Sequence, residues 1–253
     1  MKRIVLPALL LLLLLGAWEL YADFGGVDPV LLASPHQVAK AIYTDRGLLW
    51  SNFLVTAEEV LFGVLVAAVV GLVLAIAIHL SGVLRTATYP LVVSSQTIPI
   101  PMIAPLLMLW FGFGIFPKVV VVALISFFSI VVATLDALSA VDRDLLKLMR
   151  TFDAPRWRTF REVEFPAALP GVFTGAKIAV AVAVIAAVIG EMTGGSNAGL
   201  GYLFIQATPQ LLTPRAYATV VILSLFAIAL FSLMTLAERL ALPWAFESKG
   251  DRS

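Results

Sequence analysis

The chain predicts an all-α, polytopic membrane fold of about six transmembrane helices, and three observations support this. Of its 253 residues, 61% are hydrophobic and only 13% charged, and the mean hydropathy is +1.01. A soluble core of that size cannot hide so much apolar side chain, so the surplus faces lipid. The apolar residues also come in long runs rather than short alternating segments. In lipid every backbone amide must be paired internally, so long runs indicate helices rather than a barrel. Finally, the lysines and arginines cluster between the runs with a strong bias to one side.

A hydrocarbon slab of about 30 Å needs roughly 20 helical residues. The first run is Ile4 to about Leu20, and the second is about Val60 to His79. A third, about Thr88 to Phe113, is interrupted by Pro99, Pro101 and Pro105. Lys118 to about Leu138 is the fourth, about Val172 to Ile189 the fifth and about Tyr217 to Leu236 the sixth. The Lys2-Arg3 start ahead of a leucine run also has the shape of a secretory signal peptide. No small-x-small cleavage site precedes Tyr21, so the segment is expected to stay as the first helix. Six spans put both termini on one side, and thirteen of the seventeen basic residues fall there, leaving Lys40, Arg46, Lys118 and Arg215 opposite. By the positive-inside rule both termini are cytoplasmic and Tyr21 to Thr56 is external. Within that external stretch, Ser34-Pro35-His36 followed by Val38, Ile42 and Leu49 reads as a short helix near the interface.

Composition removes several function classes. Cysteine is absent, so disulfides, thiol catalysis and cysteine metal sites are excluded. His36 and His79 are the only imidazoles, and a zinc site would still need carboxylate partners. A net charge of +1 argues against nucleic acid. No catalytic residue, cofactor or metal set is expected.

The long, basic and patterned loop from Ser139 to about Gly171 carries the most information. Leu145, Leu148, Met149 and Phe152 recur at helical spacing beside Asp144, Lys147 and Thr151, which makes an amphipathic helix. Asp153-Ala154-Pro155 breaks it, and a second short helix follows, with proline in its first turn and Asp153 placed to cap its amides. Trp157, Phe160 and Val163 share a face of that helix, away from Arg158, Arg161 and Glu162. Phe165-Pro166 and Leu169-Pro170 end the unit. Such a pair reads either as an interfacial anchor for anionic lipid or as a docking surface for a soluble partner, since aromatic and arginine side chains anchor protein interfaces.

The run from Arg150 to Phe160, followed by Phe165-Pro166-Ala167-Ala168-Leu169-Pro170-Gly171, resembles the cytoplasmic loop of bacterial ABC importer permeases. That loop carries the pattern Glu-Ala-Ala, three residues, Gly, nine residues, Ile-x-Leu-Pro. Here it falls on Lys147-Leu148-Met149, Asp153, Val163, Phe165 and Pro166, so the acid, both alanines and the glycine are replaced. Aspartate is among the few residues that tolerate the left-handed turn a glycine would make, so the turn is expected to survive. Gly190-Glu191-Met192 with Ala198-Gly199-Leu200-Gly201-Tyr202 is similar to the nitrate, sulfonate, taurine and pyrimidine-precursor branch of these permeases. So is Ser95-Gln96-Thr97-Ile98-Pro99 through Pro105, with Trp110-Phe111-Gly112.

The resemblance implies a transport subunit of the inner membrane that works with a second permease chain in a homodimer, a cytoplasmic ABC ATPase dimer and an external solute-binding protein. The chain has no Gly-x-x-x-x-Gly-Lys-Ser/Thr loop, so nucleotide belongs to a partner. Residues 1–50 would be a first helix and external segment, 51–240 the permease core with its coupling loop at about 139–171, and 241–253 a cytoplasmic tail. Arg150, Phe152, Asp153, Ala154, Pro155, Trp157 and Phe160 are the expected ATPase-coupling residues.

For a solute path, the proline-broken third span offers Gln96, Thr97, Pro99 and Pro101, since freed carbonyls at membrane depth are tolerated where they meet protein or water. Bending for packing explains the same prolines. Asp136 and Glu191 are further candidates, though each sits near an interface where simple hydration accounts for it. His79 reads as an interfacial side chain. The Gly-, Ser-, Asn- and Pro-containing segment 194–214 reads as an external loop that closes a gate, meets the binding protein or only connects. An ion-driven carrier would show an ionisable relay at mid-membrane and an internal repeat, and a membrane enzyme a convergent polar set. The spans offer mainly Val, Leu, Ile and Ala. Among solutes, the Glu191-Met192-Thr193-Gly194-Gly195 segment and Leu148-Met149-Arg150-Thr151-Phe152 lean toward a thiamine pyrimidine precursor or related heterocycle, with nitrate, sulfonate or taurine as the alternatives.

Overall fold

The computed structural model describes residues 2–95, 97–193 and 196–247. Among the described residues, five helices are long and apolar enough to cross a membrane: α1 (Lys2–Phe24), α3 (Arg46–Leu80), α6 (Ile115–Ser139), α9 (Phe165–Thr193) and α11 (Thr213–Ala241). The interrupted third span is realised as two short helices, α4 (Gly82–Ser95) and α5 (Ile100–Phe111). At about 1.5 Å per residue neither reaches across about 30 Å alone. The break falls where Pro99 takes an extended conformation, φ −70° and ψ 100°, because proline cannot donate to a continuing ladder. α4 packs Val92 against Ala75, Ile78, Val131 and Leu135, whereas α5 packs Ala104 and Leu107 against Val121. The pair therefore runs from one end of the bundle to the other as one broken passage.

The second span starts at Arg46, well before Val60, and its 35 residues extend about 52 Å. The short helix anticipated near Ser34 is α2 (Pro35–Thr44). The Gln37 side chain accepts from the Ser34 N–H at 3.3 Å, and Glu19 of α1 accepts from the His36 backbone N–H at 3.2 Å and faces its Nδ1 at 2.6 Å. Glu19, Asp23 and His36 thus gather to tie α1 to the start of α2. The segment read as an external loop is more than a plain connector over its described residues 196–214, because it contains α10 (Leu200–Ala207), whose Leu200, Gly201, Leu203 and Ala207 are buried.

α3, α6 and α9 form the centre. α3 presents Gly63, Ala67, Gly71 and Ala75 every fourth residue, all buried, and α9 does the same with Gly175, Ala179, Ala183 and Ala187. Such small-residue stripes let backbones approach closely where no hydrophobic effect drives helices together. A Cβ at Gly63 would overlap Val122 of α6, and one at Gly175 would lie 2.9 Å from the Ser129 carbonyl. The opposite face of α3, with Leu61, Phe62, Leu65, Val69 and Val73, is exposed and suits lipid. α11 packs on α9 and places Tyr217 against Trp18 of α1, with ring centres 5.8 Å apart.

One end of the bundle carries α2 and α10. The other carries α7 (Arg143–Thr151), α8 (Arg156–Thr159), a π-helical turn (Phe160–Glu164) and α12 (Pro243–Glu247). α1 begins and α11 finishes at this second end.

Candidate functional site

The loop between α6 and α9 is helical over most of its length, and its architecture differs from expectation at two points. Asp142, not Asp153, supplies a helix cap: its side chain accepts from the Asp144 N–H at 2.8 Å at the start of α7. Asp153 lies past the end of α7 with φ +48°, the left-handed turn expected at the position of the family glycine. There Asp153 N–H bonds the Arg150 carbonyl at 3.0 Å and Ala154 N–H bonds the Met149 carbonyl at 3.1 Å, a Schellman closure. Pro155, extended at φ −64° and ψ 150°, then caps α8 in place of Asp153. Asp153→Val is expected to cost about 1–2 kcal/mol, because a β-branched residue resists φ > 0, whereas Asp153→Gly should be near neutral. Melting curves of the two variants check this.

The second difference is that no boundary separates the loop from the fifth span. Arg156–Thr193 is helical throughout, because Phe165 N–H reaches back five residues to the Phe160 carbonyl in the π turn, admitting Pro166. Phe160 is only 4% exposed. It packs with Leu138 and Ala168, against partly buried Ile76, Leu80 and Phe165. His79, the interfacial histidine, lies beside it with Nε2 2.9 Å from Glu164 Oε2. Trp157 stacks on Phe160 at 5.5 Å yet is 61% exposed, and Phe152 is 72% exposed. Of the expected coupling residues, Phe152, Asp153, Pro155 and Trp157 are thus on the surface. Arg150 and Ala154 line a groove, and Phe160 anchors the loop to the bundle.

The expected solute-path residues do not converge. Gln96 lies outside the described residues. Thr97, Pro99 and Pro101 are exposed at the α4–α5 break, with Thr97 Oγ1 donating to the Ser94 carbonyl at 2.8 Å. Asp136 is exposed near Arg85 and His79 at the loop end. Glu191 is at the opposite end, and hydration does not account for it, because it is 2% exposed.

Glu191 belongs to a buried polar cluster that the sequence reading missed. One carboxylate oxygen accepts from Thr56 Oγ1 at 2.6 Å and the other from Gly201 N–H at 2.5 Å. Leu200 N–H donates to Thr56 Oγ1 at 2.9 Å and Gly199 N–H to Asn52 Oδ1 at 2.7 Å. The first amides of α10 are thereby satisfied by side chains of α3 and α9, where negative charge is favoured at a helix start. Lys118 Nζ donates to Glu59 Oε1 and to Ser196 Oγ, both at 2.6 Å, with Glu59 fully buried. Lys118 is therefore not an external loop cation but an internal counter-charge. Glu59 stands one residue before the second apolar run, so the run itself does not mark it. Asn52, Thr56, Glu59 and Gly63 follow helical spacing, and that periodicity was the available signal.

Together these features define the class: a polytopic helical membrane subunit with a structured amphipathic loop fused to one of its spans. Residues 67–242 match the family described as the binding-protein-dependent transport system inner membrane component. Over 239 residues the chain is 36% identical to the formylaminopyrimidine transport permease protein ThiX of Halalkalibacterium halodurans, covering 94% of this chain and 95% of that protein. It is 35% identical over 250 residues to the riboflavin transport system permease protein RibX of Chloroflexus aurantiacus, covering 96% and 93%. A chain of the MetNI methionine ABC transporter in an inward-facing conformation shares the fold, with a TM-score of 0.63 and 18% identity over 76% of this chain and 97% of that one. The chain belongs to the binding-protein-dependent inner membrane components: it is an ABC importer permease subunit, multi-pass in the inner membrane, and not itself an enzyme.

Proposed function

We propose that this permease forms half of a pore that passes a small heterocycle, of the thiamine pyrimidine-precursor class, from an external binding protein to the cytoplasm under ATPase control. The full-length likeness to a formylaminopyrimidine permease is the observation that carries the solute class. The second half of the pore is another copy of this chain. The loop end faces the cytoplasm, in keeping with the arginines and lysines concentrated there. Binding of the solute by the binding protein that serves this permease tests the class directly, and affinity for taurine, an alkanesulfonate or nitrate instead would sink it.

The coupling reading rests on the continuity of α8, the π turn and α9. A 38-residue helical rod, about 57 Å long, joins the exposed Trp157 to the buried Glu191 cluster. An ATPase gripping Phe152, Trp157, Leu145 and Leu148 would move that rod bodily, with Phe160 holding the loop to α3 and α6. Solute would pass along the α4–α5 break near Thr97 and Pro99.

Burial separates two alanine variants. Trp157→Ala is expected to abolish ATPase copurification and transport with an unchanged melting curve. Phe160→Ala should cost about 3–5 kcal/mol of stability. Full transport by Trp157→Ala would remove the docking role. Because the chain lacks cysteine, a single Leu145→Cys should react with an impermeant thiol reagent only after cells are opened, and His36→Cys in intact cells. The reverse pattern would overturn the orientation.

A further inference from the structure

The face of α7 turned to the bundle differs in chemistry from the face offered to solvent. At about 100° per residue, Leu145, Leu148 and Phe152 lie on one side, while Arg143, Leu146 and Arg150 lie on the other. This second side lines a groove of about 680 Å³ that also takes in Arg85 of α4 and Arg156 of α8. Arg156 is committed, since its Nη2 donates to the His79 carbonyl at 3.2 Å, and the Glu164 carboxylate is occupied by His79. Among the described residues the guanidiniums of Arg85, Arg143 and Arg150 have no carboxylate partner within salt-bridge distance, although Asp136 shares a neighbouring hollow with Arg85.

The height of the groove decides what it can meet. Its walls include the last turn of α3 at His79, the end of α6 at Leu138 and Ser139, and the first turns of α4. These are the ends of the apolar helices, where a span of this length would leave the hydrocarbon. Val83 and Leu84, beside Arg85, are exposed apolar residues. Unpaired guanidiniums above an apolar step match a headgroup phosphate above its acyl chains, and basic pockets between membrane helices on the cytoplasmic side bind such headgroups. We infer that this groove is a binding site for the phosphate of an anionic phospholipid, held by Arg85, Arg143 and Arg150 on the face of α7 opposite the ATPase-docking face. The inference rests on the cytoplasmic placement of the loop. Bound lipid would brace α7 against the spans, so that movement of the loop reaches α6 and α9 rather than tilting α7 alone.

The test is native mass spectrometry of the purified permease–ATPase complex in neutral detergent, titrated separately with phosphatidylglycerol, phosphatidylcholine and inorganic phosphate. Phosphatidylglycerol should bind preferentially. The triple variant Arg85→Gln, Arg143→Gln, Arg150→Gln should lose about a hundredfold in apparent affinity, and each single variant, which guards against misfolding, about fivefold. The control Arg158→Gln, Arg161→Gln changes exposed arginines outside the groove and should leave the preference intact. Unchanged phosphatidylglycerol affinity in the triple variant overturns the site. Equal loss in the control assigns the effect to bulk charge, and equal affinity for inorganic phosphate makes it a free-anion site; either outcome overturns the lipid assignment. Loss of the ATPase with lipid binding retained would give the groove to the ATPase instead. Failure of the docking reading is separately visible, as ATPase retention by Trp157→Ala with the lipid preference intact.

Discussion

Lys118→Met is expected to lower the stability of the permease by about 3–5 kcal/mol, because it leaves Glu59 buried without its cation. In a chain of this length that corresponds to a fall in melting temperature of roughly 10 °C. The loss should be largely reversed in Lys118→Met combined with Glu59→Gln, which removes the stranded charge along with its partner. The melting curves of the two variants in the same detergent decide it. If Lys118→Met melts like the parent protein, the cluster does not join α3, α6 and the α9–α10 connection in the way the geometry indicates.

Gly199→Ala carries the second large effect. Gly199 sits at φ +119°, a region that L side chains rarely adopt, and an added Cβ would strike the carboxylate of Glu191. Backbone strain of this kind costs about 1–3 kcal/mol. Displacing Glu191 would further leave the Gly201 N–H of α10 without its acceptor, at roughly 1–3 kcal/mol more. The variant is expected to accumulate poorly and to melt well below the parent protein. Ala198→Gly, one residue earlier, places no atom against Glu191 and should change little. Equal melting of Gly199→Ala and the parent would mean that the start of α10 is not held by this contact.

The loop helix was legible because such a helix writes itself into the chain as amphipathic periodicity, and Leu145, Leu148 and Phe152 repeat in that way, whereas the proposed coupling role of Phe152 and Trp157 came from the resemblance. The turn at Asp153 was legible through the resemblance, because Asp153 stands where the family loop has glycine and aspartate is among the few residues that accept φ > 0. Phe160 was harder. Its spacing from Trp157 put both on one face, and the two rings do stack, but that spacing does not show that Phe160 packs in against Leu138 and Ala168 while Trp157 stays outside. A π turn depends on how α9 packs, and a period of 3.6 residues carries no trace of it. The four-residue rhythm of Gly63, Ala67, Gly71 and Ala75 was readable but indistinct in a sequence this rich in alanine and glycine, since small residues mark a helix contact only once a partner helix is known.

Composition determined that this protein lives in lipid, and the length of its apolar runs that it does so as a bundle of helices rather than a barrel, because every amide must be paired within the protein there. The spacing of residues determined the loop. Tertiary structure decided which charges act together. Glu59, Lys118 and Glu191 stand 59 and 73 residues apart along the chain, and only the close approach of α3, α6 and α9 makes one ion cluster of them. Burial follows from that same packing: it turned Lys118 from a loop charge into a counter-ion and Phe160 from a surface grip into an anchor, because the environment of a side chain is set by its neighbours in space rather than by its neighbours in sequence.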